Sequence, residues 1–182
     1  MQIITDRLIL RSWQDEDRAP FAAINNDPEV MRYFPEVQSR SMSDASVDRR
    51  MAHDEKHGFC FWAVEVRESE AFAGFVGMEY IHDGIPYAGS LEIGWRLAKE
   101  FWGQGLAPEG ARACLTYAFS ALKVPHIISF TSENNKPSRR VMEKLGMTHE
   151  PQHDFDHPGV PDGSPLKRHV LYRIQADEVQ RA

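Results

Sequence analysis

One stretch near the middle of the chain constrains the fold more than any other. Residues 91–97 (LEIGWRL) form a short and mostly apolar segment, as expected for a buried strand. A loop with two glycines follows, and from Pro108 onward apolar residues recur at helical spacing. Pro108 suits the first turn of a helix, and Glu109 complements the positive end of the helix dipole. The stretch therefore predicts a strand, a short loop and a helix in direct succession.

The chemistry that this junction favours is anion binding. The first N–H groups of a helix lack partners inside it, and the dipole adds about half a positive charge there. Gly103 and Gly105 place no Cβ between the backbone and a ligand. A phosphate or pyrophosphate would therefore fit over residues 103–107, although an ordinary tight turn explains the same glycines equally well. The chain has neither Gly-x-x-x-x-Gly-Lys-Ser/Thr nor Gly-x-Gly-x-x-Gly, which argues against P-loop and dinucleotide-binding folds.

Length and charge narrow the class of protein further. The 182 residues suit a single domain over 1–182. The net charge of −6 argues against general nucleic-acid binding and is compatible with a cationic amine. The start of the chain has no signal-peptide pattern, and no apolar run is long enough for a membrane span. Cys60 and Cys114 lie in apolar segments, so we expect core thiols and a reducing, cytoplasmic location.

Strands and helices alternate along the rest of the chain. The predicted strands are 3–11, 59–66, 72–80, 91–97, 126–131, 147–153 and 169–174. The predicted helices are 15–25, 43–57, the one that starts near Pro108, and 137–145. A long loop with several prolines and glycines precedes the last strand, and such loops are often functional. This alternation, with hairpins, predicts a mixed sheet with helices on its faces.

Four segments together resemble one family. Residues 102–107 (WGQGLA) resemble the acetyl-CoA loop of the GNAT acyltransferase superfamily, whose pattern is Arg/Gln-x-x-Gly-x-Gly/Ala. Gly105 and Ala107 take the two small positions. Trp102 stands where Arg or Gln is usual, which resembles the ribosomal-protein N-terminal acetyltransferase (RimJ/RimL-like) branch. Three more segments resemble that branch: 5–11 (TDRLILR), 27–34 (DPEVMRYF), and Asn135-x-x-Ser138 followed by RVMEKLGM.

The resemblance implies a GNAT fold and an activity. The fold is α/β, with a central, mixed, mostly antiparallel twisted sheet of about six to seven strands and helices on both faces. Two parallel strands are splayed apart to admit CoA. The activity is transfer of the acetyl group of acetyl-CoA, a co-substrate, to a primary amine by direct attack through a tetrahedral intermediate. No metal is needed. The amine is either a protein N-terminal α-amine or that of a small molecule.

Two other functions fit the same pattern. One is an acetyl-CoA-binding regulatory or sensor module without turnover, and the other is a detoxifying acetyltransferase of a drug or polyamine. A homodimer is the commonest assembly for such chains, and the sequence leaves the oligomeric state open.

The resemblance also implies residue roles. The cofactor-binding residues would be Trp95, Arg96, Leu97, Trp102, Gly103, Gln104, Gly105, Leu106, Ala107, Asn135 and Ser138. A backbone N–H near 95–97 would stabilise the oxyanion. The Asn135 amide would hold the CoA arm, with a turn asparagine as the alternative. Ser138 would be the general acid for the leaving thiolate, with a helix-opening serine as the alternative.

The candidate base is Glu92, which lies on the strand that should face the acetyl group. A carboxylate in a dry cleft can have a raised pKa and accept the proton of an ammonium. A partly solvated charge in an ion pair is the alternative, and Glu79 is the reserve candidate.

Other polar clusters allow weaker interpretations. The spacing of the polar residues His149, His153, Asp154, Asp156 and His157 matches no zinc pattern. We therefore expect a solvated loop in which Asp154 and Asp156 can meet a cationic amine. Arg139 and Arg140 open the last predicted helix, where they either pair with the 3′-phosphate of CoA or are surface charges.

Overall fold

The sheet contains nine strands within residues 2–179, the part of the chain that the computed structural model describes. They are β1 (Gln2–Ile4), β2 (Leu8–Arg11), β3 (Phe61–Val66), β4 (Ala71–Tyr80), β5 (Leu91–Leu97), β6 (His126–Ser132), β7 (Thr148–His149), β8 (Phe155–Asp156) and β9 (Arg168–Gln175). Their order is β1-β2-β3-β4-β5-β6-β9-β7, and β8 also pairs with β9. Every pairing is antiparallel except that of β5 with β6, which is parallel.

Five α-helices accompany the sheet in the described part of the chain, and the second of them has a clear cap at each end. They are α1 (Arg18–Asn26), α2 (Arg40–His57), α3 (Leu106–Tyr117), α4 (Lys136–Lys144) and the short α5 (Ala176–Val179). At the start of α2, the Ser39 hydroxyl accepts the N–H of Met42, and Gly58 ends the helix in the left-handed region with φ +77°. Gly146, with φ +80°, follows α4 in the same way.

Adjacent residues of β4 show how the helices cover both faces of the sheet. The ring of Phe75 packs against Phe21 of α1, with ring centroids 6.0 Å apart. Its neighbour Val76 lies against Gly110 of α3, where an added Cβ would sit 3.4 Å from the Val76 side chain. Because successive strand side chains point to opposite faces, α1 and α3 lie on opposite sides of the sheet.

The sheet opens between β5 and β6. These parallel neighbours pair through Glu92 and Ile128 alone among the described residues. The flanking antiparallel pairs are complete, from Gly74 opposite Leu97 to Tyr80 opposite Leu91 on one side, and along all of β6 and β9 on the other. Beyond Glu92 the two strands therefore diverge, which confirms the predicted splayed pair.

The structure corrects the sequence interpretation at two places. The single strand predicted for 3–11 is a hairpin, because Thr5 closes a turn in which its N–H bonds the carbonyl of Leu8 at 2.9 Å. The strand predicted for 147–153 pairs only at Thr148–His149, because Pro151 has no N–H for a ladder and opens a 3₁₀ turn. These short pieces, together with β8, raise the strand number from the expected six to seven to nine.

The two cysteines behave as predicted core residues. Cys60 and Cys114 are free and buried, and burial raises the pKa of both thiols. Within residues 2–179, no helix has the length and apolar character that a membrane span requires. The single domain expected over 1–182 stays a prediction, and residues 1 and 180–182 of that range lie outside the described residues.

Candidate active site

A cavity of about 690 Å³ occupies the opening between β5 and β6. That volume is typical of a small-molecule site. Part of the lining comes from β5, β6, the 103–107 loop and the start of α4, and we call this part the loop half. The rest comes from the 29–35 segment, α2 and the 157–160 segment, and we call it the far half.

The loop half is built on the start of α3. Gly103 and Gly105 have φ of +73° and +78°, a left-handed backbone that favours glycine. Gly105 is the N-cap of α3 and supplies no side chain to bond the first N–H groups. Gly103, Gly105, Leu106 and Ala107 all line the cavity. Unpartnered N–H groups and the helix dipole therefore face this space, as an anion requires.

Arg7 and Glu109 fasten this helix start to the sheet. The Arg7 guanidinium lies 2.6 Å from the Glu109 carboxylate, and Thr5 donates to the same carboxylate at 2.6 Å. Burial opposes ionisation of Glu109, but these hydrogen bonds outweigh it and lower the pKa of the carboxyl. Arg7 also donates to the Gln104 carbonyl at 2.9 Å. The β1–β2 turn thus positions the glycine loop.

Gln104 differs from the other loop residues predicted to bind the cofactor. It does not line the cavity, and its side-chain amide donates to the Glu100 carbonyl at 2.7 Å. Its side chain therefore stabilises the loop from outside the cavity.

Trp102 ties the loop to the end of β5. Its indole N–H donates to the Leu97 carbonyl at 2.8 Å, and its ring lines the cavity. Trp95, Arg96 and Leu97 also line the cavity, on the part of β5 that has no partner strand across the opening. The side chain of Arg96 extends to the far half, where it bonds Asn25.

Asn135 and Ser138 meet at the start of α4. The Asn135 side chain accepts the Ser138 N–H at 3.2 Å and donates to the Thr131 hydroxyl at 2.8 Å. Asn135 is thus the N-cap, and its amide retains one N–H and one lone pair for a ligand. The Ser138 hydroxyl forms no hydrogen bond within residues 2–179, and Ser138 lines the cavity.

The two arginines of α4 point in different directions. Arg139 donates from Nε to the Tyr172 hydroxyl at 3.2 Å and from Nη1 to the Glu133 carbonyl. Arg140 and Lys144 line the loop half of the cavity. Of the two arginines, Arg140 is therefore the one placed to meet a ligand.

Glu92 lies where the opening begins. Its side chain lines the cavity, and protein surrounds it on the other sides. Glu79 stands directly opposite it on β4. Burial, and then repulsion by Glu79, raises the pKa of Glu92 to about 8. Glu79, which accepts the Phe61 N–H at 3.4 Å, does not line the cavity.

Two histidines also line the cavity: His157, which was expected in a solvated loop, and His169, which the sequence did not single out. His157 accepts the Gly159 N–H through Nδ1 at 3.1 Å, and His169 has Nδ1 3.2 Å from the Lys167 carbonyl. Burial, against the bond to Lys167, lowers the pKa of His169 to about 4, so its ring is neutral at pH 7. The long predicted loop around His157 was the only signal for them.

The acidic residues of the long loop, Asp154 and Asp156, lie outside the cavity. Asp154 accepts from the Leu171 N–H at 2.9 Å and pairs with His149 at 3.0 Å, whereas Asp156 pairs with Arg168 at 3.5 Å. Neither carboxylate lines the cavity. Over residues 2–177, whose side chains the structure describes, no three His, Cys, Asp or Glu side chains are arranged to hold a metal ion.

A mixed sheet that opens between two parallel strands, beside an uncapped helix N-terminus, has the architecture of CoA-dependent acyltransferases. Residues 7–148 match the acetyltransferase (GNAT) domain family. The chain belongs to this family and is an N-acetyltransferase, and the family's enzymes use acetyl-CoA.

Known proteins agree with this classification. The chain is 34% identical over 150 residues to YoaA, an uncharacterized N-acetyltransferase of Bacillus subtilis, covering 80% of this chain and 82% of the relative. A GNAT acetyltransferase structure from Bacillus anthracis is 27% identical, with a TM-score of 0.78 over 98% of this chain and 100% of that one. Spermidine N-acetyltransferase of Vibrio cholerae, solved with CoA and spermine, is 19% identical, with a TM-score of 0.73 over 97% and 99%.

Proposed function

We propose that this chain transfers the acetyl group of acetyl-CoA to a primary amine, in the manner of the RimJ/RimL-like branch. The observation that carries the proposal is the coincidence of two features in one cavity. The opening between β5 and β6 leads directly to the N-terminus of α3, where Gly105 leaves the first N–H groups uncapped. An extended thiol carrier with a pyrophosphate needs both features in one cavity.

The loop half is the proposed CoA site. The pyrophosphate lies over residues 103–107, and the pantetheine arm runs through the opening past Asn135. Arg140 and Lys144 line the same half and supply positive charge for the 3′-phosphate.

The residues around the opening then support the chemistry. The acceptor reaches the enzyme as an ammonium, since alkyl amines have a pKa near 10 and α-amines near 8. Glu92 takes that proton, the amine nitrogen bonds to the thioester carbon, and a backbone N–H of residues 95–97 stabilises the oxyanion. When the intermediate collapses, the carbon–sulfur bond breaks and Ser138 gives the departing thiolate a proton. The bonded nitrogen gives up its second proton, which restores the Ser138 hydroxyl. The amide keeps the acetyl group, and free CoA leaves.

The first experiment is a calorimetric titration of acetyl-CoA into the purified protein, followed by thiol release with a panel of amines and N-terminal peptides. We expect saturable binding and release of CoA thiol with at least one acceptor. Absence of binding would overturn the assignment of the 103–107 loop. Binding without release for any amine would favour a sensor and contradict the proposed reaction.

Replacing Ser138 by alanine tests its role as the acid. We expect kcat to fall about 10²-fold, at the lower end for general acid catalysis because a thiolate is already a good leaving group. The affinity for acetyl-CoA should stay within about twofold, since the Asn135 cap bonds the backbone N–H of residue 138. Ser120, an exposed serine bonded to the Thr116 carbonyl, provides the control variant Ser120→Ala. Unchanged turnover in Ser138→Ala would remove Ser138 from the mechanism.

A further inference from the structure

The guanidinium groups of two arginines in the far half take part in no step of the proposed transfer, in which Arg96 contributes only its backbone. Arg50 extends from α2 and is buried, with 8% of its surface exposed. Arg96 extends from β5, on the same face as Glu92. Both line the cavity, and both guanidinium groups lie over the ring of Phe75, 4.6 and 5.6 Å from its centroid. The far half therefore holds two cations close together.

In each guanidinium, only some of the N–H groups donate a hydrogen bond to the protein. Arg50 donates from Nη1 to the carbonyl of Ser46, one turn earlier in α2, at 2.9 Å, and to the hydroxyl of the same residue. Arg96 donates from Nη1 to the Asn25 side chain at 2.5 Å. The Nε atoms of both arginines are buried without a hydrogen-bond partner. Unmade bonds of this kind are costly in the interior, since a buried charged donor normally has a partner.

The charges are not compensated either. Within residues 2–179, neither arginine forms an ion pair with a carboxylate. Burial lowers the pKa of Arg50 to about 10, against the attraction of Glu79. Burial and then repulsion by Arg50 lower the pKa of Arg96 to about 9. With the pKa of Glu92 near 8, that nearby carboxyl is mostly protonated at neutral pH.

Cation–π contacts account for part of this arrangement. Arg50 lies near the rings of Trp13, Phe21 and Phe61 as well as Phe75, and Arg96 lies 4.2 Å from the centroid of Phe34. Such contacts stabilise a guanidinium but do not satisfy its N–H groups or separate two like charges. A bound anion in the cavity would offset the two charges.

We propose that Arg50 and Arg96 form an anion subsite, and that the acceptor amine carries a carboxylate that binds there. A carboxylate fits because a guanidinium presents its N–H groups in a planar fork that matches two oxygens. The inference rests on the proposed function, since it places the acceptor between Glu92 and Arg96. Gly94 lies between them on β5, and the ring of Phe61 packs over it, 3.1 Å from where a Cβ would be. The two cations also oppose binding of a polyamine.

The direct test observes the unpaired N–H groups. Arginine Nε–H signals of ¹⁵N-labelled protein are recorded with CoA, before and after addition of β-alanine, γ-aminobutyrate and glutamate, and of the carboxamide of each. The signals of Arg50 and Arg96 are assigned by their loss in Arg50→Lys and Arg96→Lys. We expect at least one of these acids to shift them and its amide to leave them unchanged. No shift with any of the acids would overturn the subsite.

Kinetics with the same pairs supplies a second readout. We expect kcat/KM to favour an acid over its amide by about 10- to 100-fold, the range for a hydrogen bond to a charged group. Arg50→Met should abolish that preference while acetyl-CoA affinity is retained, and Arg50→Lys should restore part of it. Arg49→Met removes the exposed neighbour of Arg50 and is the control that should keep the preference.

The outcomes separate this inference from the function it rests on. Thiol release with amides or spermidine equal to that with the acids would leave the acetyltransferase intact and refute the carboxylate. A preference for phosphoethanolamine over all the acids would assign the subsite to phosphate instead. Absence of acetyl-CoA binding would refute the proposed function itself, whatever the arginine signals do.

Discussion

Replacement of Glu92 by glutamine should lower kcat/KM at pH 8 by about 10²- to 10⁴-fold, the usual contribution of a general base. In the native enzyme, kcat/KM should rise with pH through the pKa of Glu92, about 8, because only the carboxylate accepts a proton. Glu92→Gln should lose this rise. The measurement is the pH dependence of thiol release at saturating acetyl-CoA, with circular dichroism to confirm folding.

A second variant distinguishes the ionisation of Glu92 from that of the acceptor amine, which also raises the rate with pH. Glu79 faces Glu92 across the strand pair, and its negative charge contributes to the high pKa of Glu92. Glu79→Gln should therefore lower that pKa and move the rising limb to lower pH, while the ionisation of the amine stays where it was. A profile that is the same in all three proteins would exclude Glu92 as the base.

Replacement of Gly105 by alanine should raise the Kd of acetyl-CoA by about 10²-fold. The residue lines the cavity at the N-cap of α3, and the added Cβ would meet only the Arg7 guanidinium, at an ordinary 3.7 Å. The protein thus has room for the methyl group, whereas a phosphate on the first N–H groups would lose close approach. Losing one or two charge-assisted hydrogen bonds, each about 1.5–3 kcal/mol, gives this magnitude. Calorimetric titration measures it.

Gly58 provides the matched control. Its φ of +77° equals that of Gly105 within one degree, and an added Cβ meets nothing within 4 Å. Alanine in this left-handed backbone should destabilise both proteins by a similar amount, about 1–2 kcal/mol in urea unfolding. Only Gly105→Ala should lose affinity for acetyl-CoA. Equal affinities in the two variants would place the pyrophosphate away from this loop.

The parts of the site that the sequence predicted are those whose geometry is local. A strand, a glycine loop and a helix follow one another along residues 91–117. Their contacts therefore depend only on the backbone conformation of a short segment. The same holds for Asn135 and Ser138, which are three residues apart and bonded to each other. The raised pKa of Glu92 was expected from burial, but the contribution of Glu79 depends on the register of β4 against β5.

The parts that the sequence missed depend on distant packing. Of the apolar residues of α2, Val47 is buried but Met51 is exposed, whereas the charged Arg50 is buried. Nothing in the polar run around Arg50 indicates this, because its environment comes from Trp13, Phe21, Phe61 and Phe75 on other elements. His157 and His169 meet, with rings 4.8 Å apart, only because β8 pairs with β9.

The divergence of β5 from β6 leaves backbone groups along two strand edges without a ladder partner in the described part of the chain. Under the proposed function, the amide-bearing arm of acetyl-CoA serves there as a missing strand. Acetyl-CoA would then stabilise the folded protein as well as take part in the reaction. A ligand that binds only the native state adds about 2.7 kcal/mol to the free energy of unfolding when its concentration is 100 times Kd. The resistance of this protein to heat and proteolysis would thus follow the acetyl-CoA concentration around it.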